Sequence, residues 1–281
     1  MKVKPQIGIK NIIKRIIDDE VPALASELSY SLILSFFPFL IFLMTLIGYL
    51  SLDTELVLWE LSKVLPDGAY KLVHDTVLEV LQGRNVKLLS LGFILSIWTS
   101  STGFRSVIKG LNKAYDEKEK RSLIKVIIIS ILCTIGLTFI IVATLFLLVF
   151  GEALGRFLMW KFFISGSFMS LWNIVRYAII LTSMILVFAL LYRYTPSKRL
   201  RWREVIPGAI FATIGWIVVS IGFSFYVNNF GNYSRLYGSI GAVIILLTWL
   251  YLTSIIIMVG GELNAALAFD RKVKENPNIL R

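Results

Sequence analysis

Cysteine and histidine are almost missing from this 281-residue sequence, which has one residue of each kind. A single cysteine, Cys133, excludes a disulfide within the chain and a cysteine metal cluster. His74 alone is no basis for a histidine metal site or a serine–histidine hydrolase, and we expect it to be a solvated helix residue. The sequence therefore predicts no metal and no cofactor, and it favours a non-enzymatic role over an enzyme.

Charged residues are also scarce, at 17% of the chain, whereas 57% of the residues are hydrophobic and the mean hydropathy is +0.76. Soluble domains are about 45–50% apolar. The excess is concentrated in runs of about 20 residues, the length needed to cross about 30 Å of hydrocarbon. Because no compact apolar run with a small-residue cleavage site follows the N-terminal lysines, we expect the first long run to remain as an anchor.

The apolar runs predict an all-α, polytopic integral membrane protein with one membrane domain over residues 1–281. Pro22 suits the first turn of the helix that leads into the first span. We place six transmembrane helices at about residues 30–50, 86–105, 123–150, 172–194, 205–227 and 239–261.

Basic residues lie mostly on alternate connections between these runs, which sets the predicted orientation. Of the 29 Lys and Arg residues, 21 fall in four segments: five in 1–30, seven in 105–125, five in 193–203 and four in 271–281. Since Lys and Arg collect on cytoplasmic loops, both termini are predicted to be cytoplasmic. We expect this face to bind membrane lipids with anionic head groups rather than nucleic acid, and a homo-oligomer remains open.

Two segments outside the spans have helical periodicity of their own. Residues 1–22 predict a basic amphipathic helix, which lies on the inner leaflet or packs against the cytoplasmic helix ends; its apolar stripe is Ile9, Ile12, Ile13, Ile16 and Ile17. Residues 54–82 predict a helical hairpin on the outer face, with a turn at Pro66-Asp67-Gly68.

Polar residues near the inner ends of the spans are the first candidates for function. The predicted topology places them at similar depth near the cytoplasm, and they are Glu27, Arg105, Asn112, Glu262 and Asn264. Opposite charges could meet there as an ion-pair clamp. Alternatively, the same groups could line a polar vestibule that admits a substrate or ion.

The second span contains an unusually polar run, Thr99, Ser100, Ser101 and Thr102. These hydroxyls could hydrogen-bond within and between helices, or they could line a cavity. In the first span Pro38 predicts a kink, which is architectural, serves as a hinge or exposes a carbonyl to a ligand.

An outer loop before the sixth span is rich in amides and aromatic rings and has one cation. It could recognise a head group, or it could be a capped turn with interfacial tyrosines; its candidate residues are Asn232, Tyr233, Arg235 and Tyr237.

Six short motifs occur in order around these spans. They are Ala25-Ser26-Glu27-Leu28-Ser29-Tyr30 leading to Ser35-Phe36-Phe37-Pro38, Trp98-Thr99-Ser100-Ser101, Leu111-Asn112-Lys113-Ala114-Tyr115, Pro207-Gly208-Ala209, Tyr237-Gly238-Ser239-Ile240-Gly241 and Gly261-Glu262-Leu263-Asn264-Ala265. The chain over about residues 20–268 resembles the YihY/BrkB family, also labelled ribonuclease BN. Where that family often has Gly-Ala-Glu, this chain has Gly260-Gly261-Glu262, which keeps the acidic position.

The resemblance implies a six-span bacterial inner-membrane protein associated with envelope integrity, virulence or transport. We do not expect a ribonuclease, because RNA cleavage needs cytoplasmic metal-binding carboxylates or an acid–base pair. The nearest acidic cluster, Asp18-Asp19-Glu20, looks like a helix junction. Our leading hypothesis is a transporter or translocator of a lipid-like amphiphile or small ion. A non-transporting scaffold or envelope-assembly factor is the alternative, and a membrane enzyme is third.

Overall fold

In a computed structural model, the protein is described over residues 9–49, 86–162, 167–230 and 240–275, together with Glu55, Leu58, Trp59, Ser62, Tyr70 and His74. Most of the predicted outer hairpin lies outside these residues. The six isolated positions are helical, and the His74 ring lies 5.9 Å from that of Tyr70.

The four described ranges consist of helices and short connections. The helices are α1 (Ile9–Asp18), α2 (Val21–Tyr49), α3 (Val86–Ala114), α4 (Leu123–Phe162), α5 (Ser167–Tyr194), α6 (Trp202–Phe230) and α7 (Ile240–Glu275). Each is uniformly apolar or carries an apolar face, as expected for helices that face lipid and one another.

Five of these helices, α2 and α4 to α7, are long and apolar enough to cross a membrane. The 29-residue α3 contains the predicted second span, and its hydroxyl and charged side chains lower its hydropathy. The all-α, multi-pass fold is therefore confirmed, while the count of six spans and their orientation stay predictions. The helices also extend beyond several predicted spans, most clearly α7, which continues to Glu275.

The long helices pack as a ring in which each contacts its neighbour in the order α2, α3, α4, α5, α6, α7 and back to α2. A further contact between α7 and α3 crosses the ring. The main core lies where the basic connections meet, and Leu28, Leu111 and Tyr192 are almost fully buried in it. We call this part of the bundle the basic end.

Helix α1 docks at the basic end against α7 and α2. Glu20, which has a φ of +54°, forms the tight left-handed turn between α1 and α2. Ile16 packs against the main core, whereas Ile13 and Ile17 are exposed. One edge of the isoleucine stripe therefore contacts the ends of the other helices, and the opposite edge is exposed at the surface.

Candidate functional site

Glu262 is a buried carboxylate on α7, with 1% of its surface exposed. Its Oε2 accepts a hydrogen bond of 3.0 Å from Nε of Arg15, which is 3% exposed. The Arg15 Nη2 also donates to the carbonyl of Ala114, at 2.8 Å, where α3 ends. A cation at a helix C-terminus is favourable, so one guanidinium ties α1 to both α7 and α3.

Arg15 was not among the predicted site residues. Arg15 lies three residues after Ile12, at the edge of the isoleucine stripe. This position was the sequence signal that its side chain faces the bundle. Its buried partner is 247 positions away and could not be identified from local periodicity.

Asn264, also fully buried on α7, holds the start of α6. Its Oδ1 accepts from the Gly208 backbone N–H at 2.7 Å, and its Nδ2 donates to the Val205 carbonyl at 3.1 Å. A Cβ added to Gly208 would overlap the Gly260 carbonyl and the Asn264 amide. Glycine is therefore required for α6 and α7 to approach this closely.

Pro207 removes one backbone donor from the same turn of α6, the one that would bond to the Arg203 carbonyl. Arg271 of α7 donates to that carbonyl at 3.3 Å. Backbone groups at the start of α6 therefore form hydrogen bonds with two side chains of α7, Asn264 and Arg271.

Asn112 lies at the end of α3 and joins two connections between helices. Its Nδ2 donates to Glu119 at 2.9 Å, and its Oδ1 accepts from the Ser197 backbone N–H at 2.7 Å. Arg121 donates to both Glu119 oxygens, at 2.8 and 2.7 Å, and to the Thr195 carbonyl at 2.8 Å. We call these five residues the loop cluster.

Hydrogen bonds from Arg121, with smaller contributions from Ser197 and Asn112, lower the pKa of Glu119 from 4.5 to about 2. A lowered folded-state pKa stabilises the fold above pH 4.5, and the contribution is lost as the pH falls toward 2. Because the Glu119 side chain is 30% exposed and therefore partly screened by solvent, we expect it to contribute at most about 1 kcal/mol.

The hydrogen bonds of Glu119 in the loop cluster therefore predict a pH-dependent difference in stability between the parent and a variant without this carboxylate. Glu119→Gln should lower the melting temperature of the detergent-solubilised protein at pH 7, and the difference from the parent should shrink between pH 4.5 and pH 2. Melting curves of both proteins across that range measure it. An equal difference at pH 2.5 and pH 7 would contradict the assignment.

Glu27 pairs across the α2–α3 interface with Lys109, at 2.8 Å, and accepts from the Ser106 hydroxyl at 3.2 Å. The Glu27 side chain is 46% exposed. Arg105 is exposed, in contrast to Glu262, so these two residues do not share one enclosed chamber. The five predicted polar residues lie toward one end of the bundle, and the contacts of Glu27, Asn112, Glu262 and Asn264 are separate from one another.

The hydroxyls of the polar run bond to carbonyls of their own helix. Thr99 donates to Leu95, and Ser101 donates to Trp98, each at 2.7 Å, while Thr102 donates to Thr99 at 2.5 Å. The side chain of Ser100 lies outside the described residues, as does the outer loop with Asn232, Tyr233, Arg235 and Tyr237. Pro38 is half-buried, and α2 continues through it.

A cavity of about 360 Å³ lies between α3, α4 and α5 in the half of the bundle nearest the basic end. Its walls are almost entirely apolar and include Phe104, Ile129, Leu132, Gly136, Leu190 and Tyr194. We call it the lateral cavity. A cavity of this size and lining suits an apolar ligand group.

A second cavity of about 200 Å³ extends toward α2 and α7, and we call it the inner cavity. It shares three wall residues with the lateral cavity: Phe104, Leu137 and Leu191. The hydroxyls of Ser35 and Thr134 at its wall donate to carbonyls of their own helices, each at 2.9 Å. Two adjacent apolar spaces therefore lead from α4 into the ring.

The family model described as virulence factor BrkB matches residues 12–279. The chain belongs to the BrkB family. The match begins within α1 and includes the whole of α2 to α7, so the resemblance inferred from the six motifs is confirmed.

Relatives of this BrkB-family protein cover almost its whole length. It is 43% identical over 270 residues to the putative ribonuclease-like protein YfkH of Bacillus subtilis, covering 96% of this chain and 98% of the relative. A UPF0761 membrane protein of Alteromonas mediterranea is 28% identical, with coverages of 94% and 89%, and one of Tolumonas auensis is 24% identical, with coverages of 90% and 83%. No solved structure matches.

These relatives and the apolar helices identify this BrkB-family chain as a multi-pass bacterial membrane protein. The word ribonuclease belongs to the printed name of the Bacillus relative. Within the part of the chain that the structure describes, no three His, Cys, Asp or Glu side chains group together as metal ligands would.

Proposed function

We propose that this BrkB-family protein translocates a lipid-like amphiphile, whose hydrocarbon chain enters the lateral cavity from the bilayer. The observation that carries the proposal is the pair of adjacent apolar cavities with shared walls. Binding in the lateral cavity would replace lipid contacts by protein contacts, so van der Waals fit rather than water exclusion would select the ligand.

The lining favours an amphiphile over the small ion that we also considered. An ion that enters an apolar cavity loses its hydrating water and finds no oxygen or nitrogen ligands to replace it. The desolvation free energy is then about several kcal/mol or more. Two of the charged residues that suggested an ion path are held in ion pairs, Glu262 with Arg15 and Glu27 with Lys109.

The lateral cavity opens partly toward the surrounding bilayer, because Leu132 on α4 and Tyr194 on α5 line it and are exposed. Its main contacts within the described chain are with α3 and α5 only. A small outward movement of α4 would widen both cavities, because Leu137 of α4 lines each of them. We propose this movement as the step that admits the chain.

Gly136 offers a direct test, since it lines the lateral cavity and a Cβ added there meets no atom within 4 Å. Gly136→Phe should occupy part of the lateral cavity, and its Cβ meets no neighbouring helix. In vesicles containing a tail-labelled fluorescent phospholipid, we expect the parent to accelerate exchange between leaflets and Gly136→Phe to lower that acceleration at least about tenfold. Quenching of the outer-leaflet fluorophore measures the rate.

Gly222→Phe is the matched control, because Gly222 on α6 is equally open and lines neither cavity. It should exchange lipid at the parental rate. Parental rates in both variants would refute the cavity as the route, and a parent no faster than protein-free vesicles would refute phospholipid translocation.

A scaffold role is the second candidate, and one observation favours it. Asn264, Asn112 and the Arg15–Glu262 pair all join helices or connections, as groups that only hold the bundle together would. Exchange rates of Arg105→Ala and Glu262→Gln bear on this choice. If the folded variants match the parent, these residues are structural rather than part of the path.

A further inference from the structure

Arg176 is a buried arginine on α5, far from the basic end. Only 8% of its surface is exposed, and its side chain lies against the backbone of α4 at Gly151, where a Cβ would overlap it. The separation from Val187 at the lateral cavity is 11 residues, about 17 Å along the helix. Arg176 therefore lies at the same α4–α5 interface as the cavity, but toward its other end.

The guanidinium of Arg176 is incompletely satisfied. Its Nη2 donates to the Tyr177 hydroxyl at 3.3 Å, and its centre lies 5.0 Å from the Tyr177 ring. Among the described residues, its buried Nε has no hydrogen-bond acceptor and the guanidinium has no carboxylate partner. A buried N–H of a charged group is costly to leave without an acceptor, so this site calls for an anion.

The residues around Arg176 indicate the depth in the membrane at which such an anion would bind. Trp172, one turn from Arg176, donates from Nε1 to the Gly151 carbonyl at 2.5 Å, and its indole packs over Gly155. Tryptophan and tyrosine are enriched where lipid head groups meet the hydrocarbon. Arg176 is about 6 Å further along the helix, within reach of a phosphate at that boundary.

The hydroxyls of Thr144 and Ser183, 3.3 Å apart, bridge α4 and α5 between Arg176 and the lateral cavity. The interface thus offers an apolar space at one end, a hydroxyl pair in the middle and an arginine at the other end. This order matches the two parts of an amphiphile, which has a hydrocarbon chain and a polar head.

We infer that Arg176 binds the phosphate of a phospholipid head group. The planar guanidinium suits a phosphate because two N–H groups can reach two oxygens in parallel. The inference names the substrate class of the lateral cavity, and it rests on the proposed function for taking that substrate from the bilayer.

The test measures the melting temperature of the detergent-purified protein with three ligands: dioctanoyl phosphatidylglycerol, dioctanoylglycerol and inorganic phosphate. Phosphatidylglycerol should stabilise the parent more than dioctanoylglycerol, which has the same chains without phosphate. In Arg176→Gln the apparent affinity for phosphatidylglycerol should fall about tenfold or more. Arg176→Lys, which keeps the charge without the planar fork, should lose less.

Arg156→Gln is the matched control, because Arg156 is an exposed arginine near the same end of α4. It should bind phosphatidylglycerol like the parent. If Arg176→Gln does not fold, Tyr177→Phe serves instead: it frees Nη2 from its internal acceptor, and the preference for phosphatidylglycerol should persist or grow. Loss of the preference in Tyr177→Phe would overturn the inference.

The two proposals fail differently. Equal stabilisation of the parent by phosphatidylglycerol and dioctanoylglycerol would overturn the phosphate site while leaving translocation standing. Stabilisation by inorganic phosphate alone would identify a free anion rather than a lipid as the ligand and would also overturn it. A phosphatidylglycerol preference that Arg176→Gln abolishes, without lipid exchange in vesicles, would support the site and refute translocation.

Discussion

Replacing Glu262 by leucine should destabilise the protein by about 3–5 kcal/mol, because Arg15 would remain buried without its carboxylate. Arg15→Met should have a similar cost, since it leaves the carboxylate buried and also removes the donor to the Ala114 carbonyl. The measurement is the thermal or denaturant unfolding of the detergent-solubilised protein.

The double variant Arg15→Met with Glu262→Leu separates charge from packing. Removing both charges should recover most of the lost stability, because apolar side chains of similar volume avoid the desolvation cost of a buried ion pair. The half-exposed pair of Glu27 and Lys109 provides the control, and Glu27→Leu should cost at most about 1 kcal/mol. If the double variant lost as much stability as the two single variants combined, the pair would not be an isolated charge contact.

Gly208→Ala should destabilise the protein by about 3 kcal/mol or more. The added methyl would overlap the Gly260 carbonyl, which belongs to a helix backbone and cannot rotate away. Overpacking costs about 1–3 kcal/mol, and separating α6 from α7 would also weaken the two Asn264 hydrogen bonds, each worth about 1 kcal/mol.

Gly222→Ala is the matched control for that substitution, since Gly222 lies in the same helix with open space around it. It should leave stability unchanged or raise it by about 0.5–1 kcal/mol, because alanine favours helix more than glycine does. Similar melting temperatures for the two variants would mean that α6 and α7 are not in close contact at Gly208.

The fold was largely predictable because each apolar run is long enough to define its own helix. The predicted 123–150 and 172–194 spans fall inside α4 and α5. Helix ends were less accessible: α7 continues beyond its apolar run to Glu275 because its later residues, including Ala265 and Ala268, pack in the core at the basic end. Tertiary contacts, which hydropathy does not record, set that boundary.

The candidate site was predicted only as a set of polar residues near one end of the bundle. Arg105 was grouped with Glu262, but the structure leaves Arg105 exposed and buries Glu262. The partners of Glu262 and Asn264 come from helices distant in sequence. The lateral cavity lies between α3, α4 and α5, and the inner cavity also has walls from α2 and α7. Such gaps have no signature in any one helix, so Gly136 and Arg176 were missed.

The contact between Arg15 and Glu262 also constrains how the protein is made. The carboxylate belongs to the last helix, and it meets a guanidinium near the start of the chain, 247 residues earlier. During synthesis Arg15 cannot acquire this partner until nearly the whole polypeptide has left the ribosome and α7 has entered the membrane. The contact between α1 and α7 therefore forms late, and a chain that ends before Glu262 lacks the carboxylate that pairs with Arg15 in the finished protein.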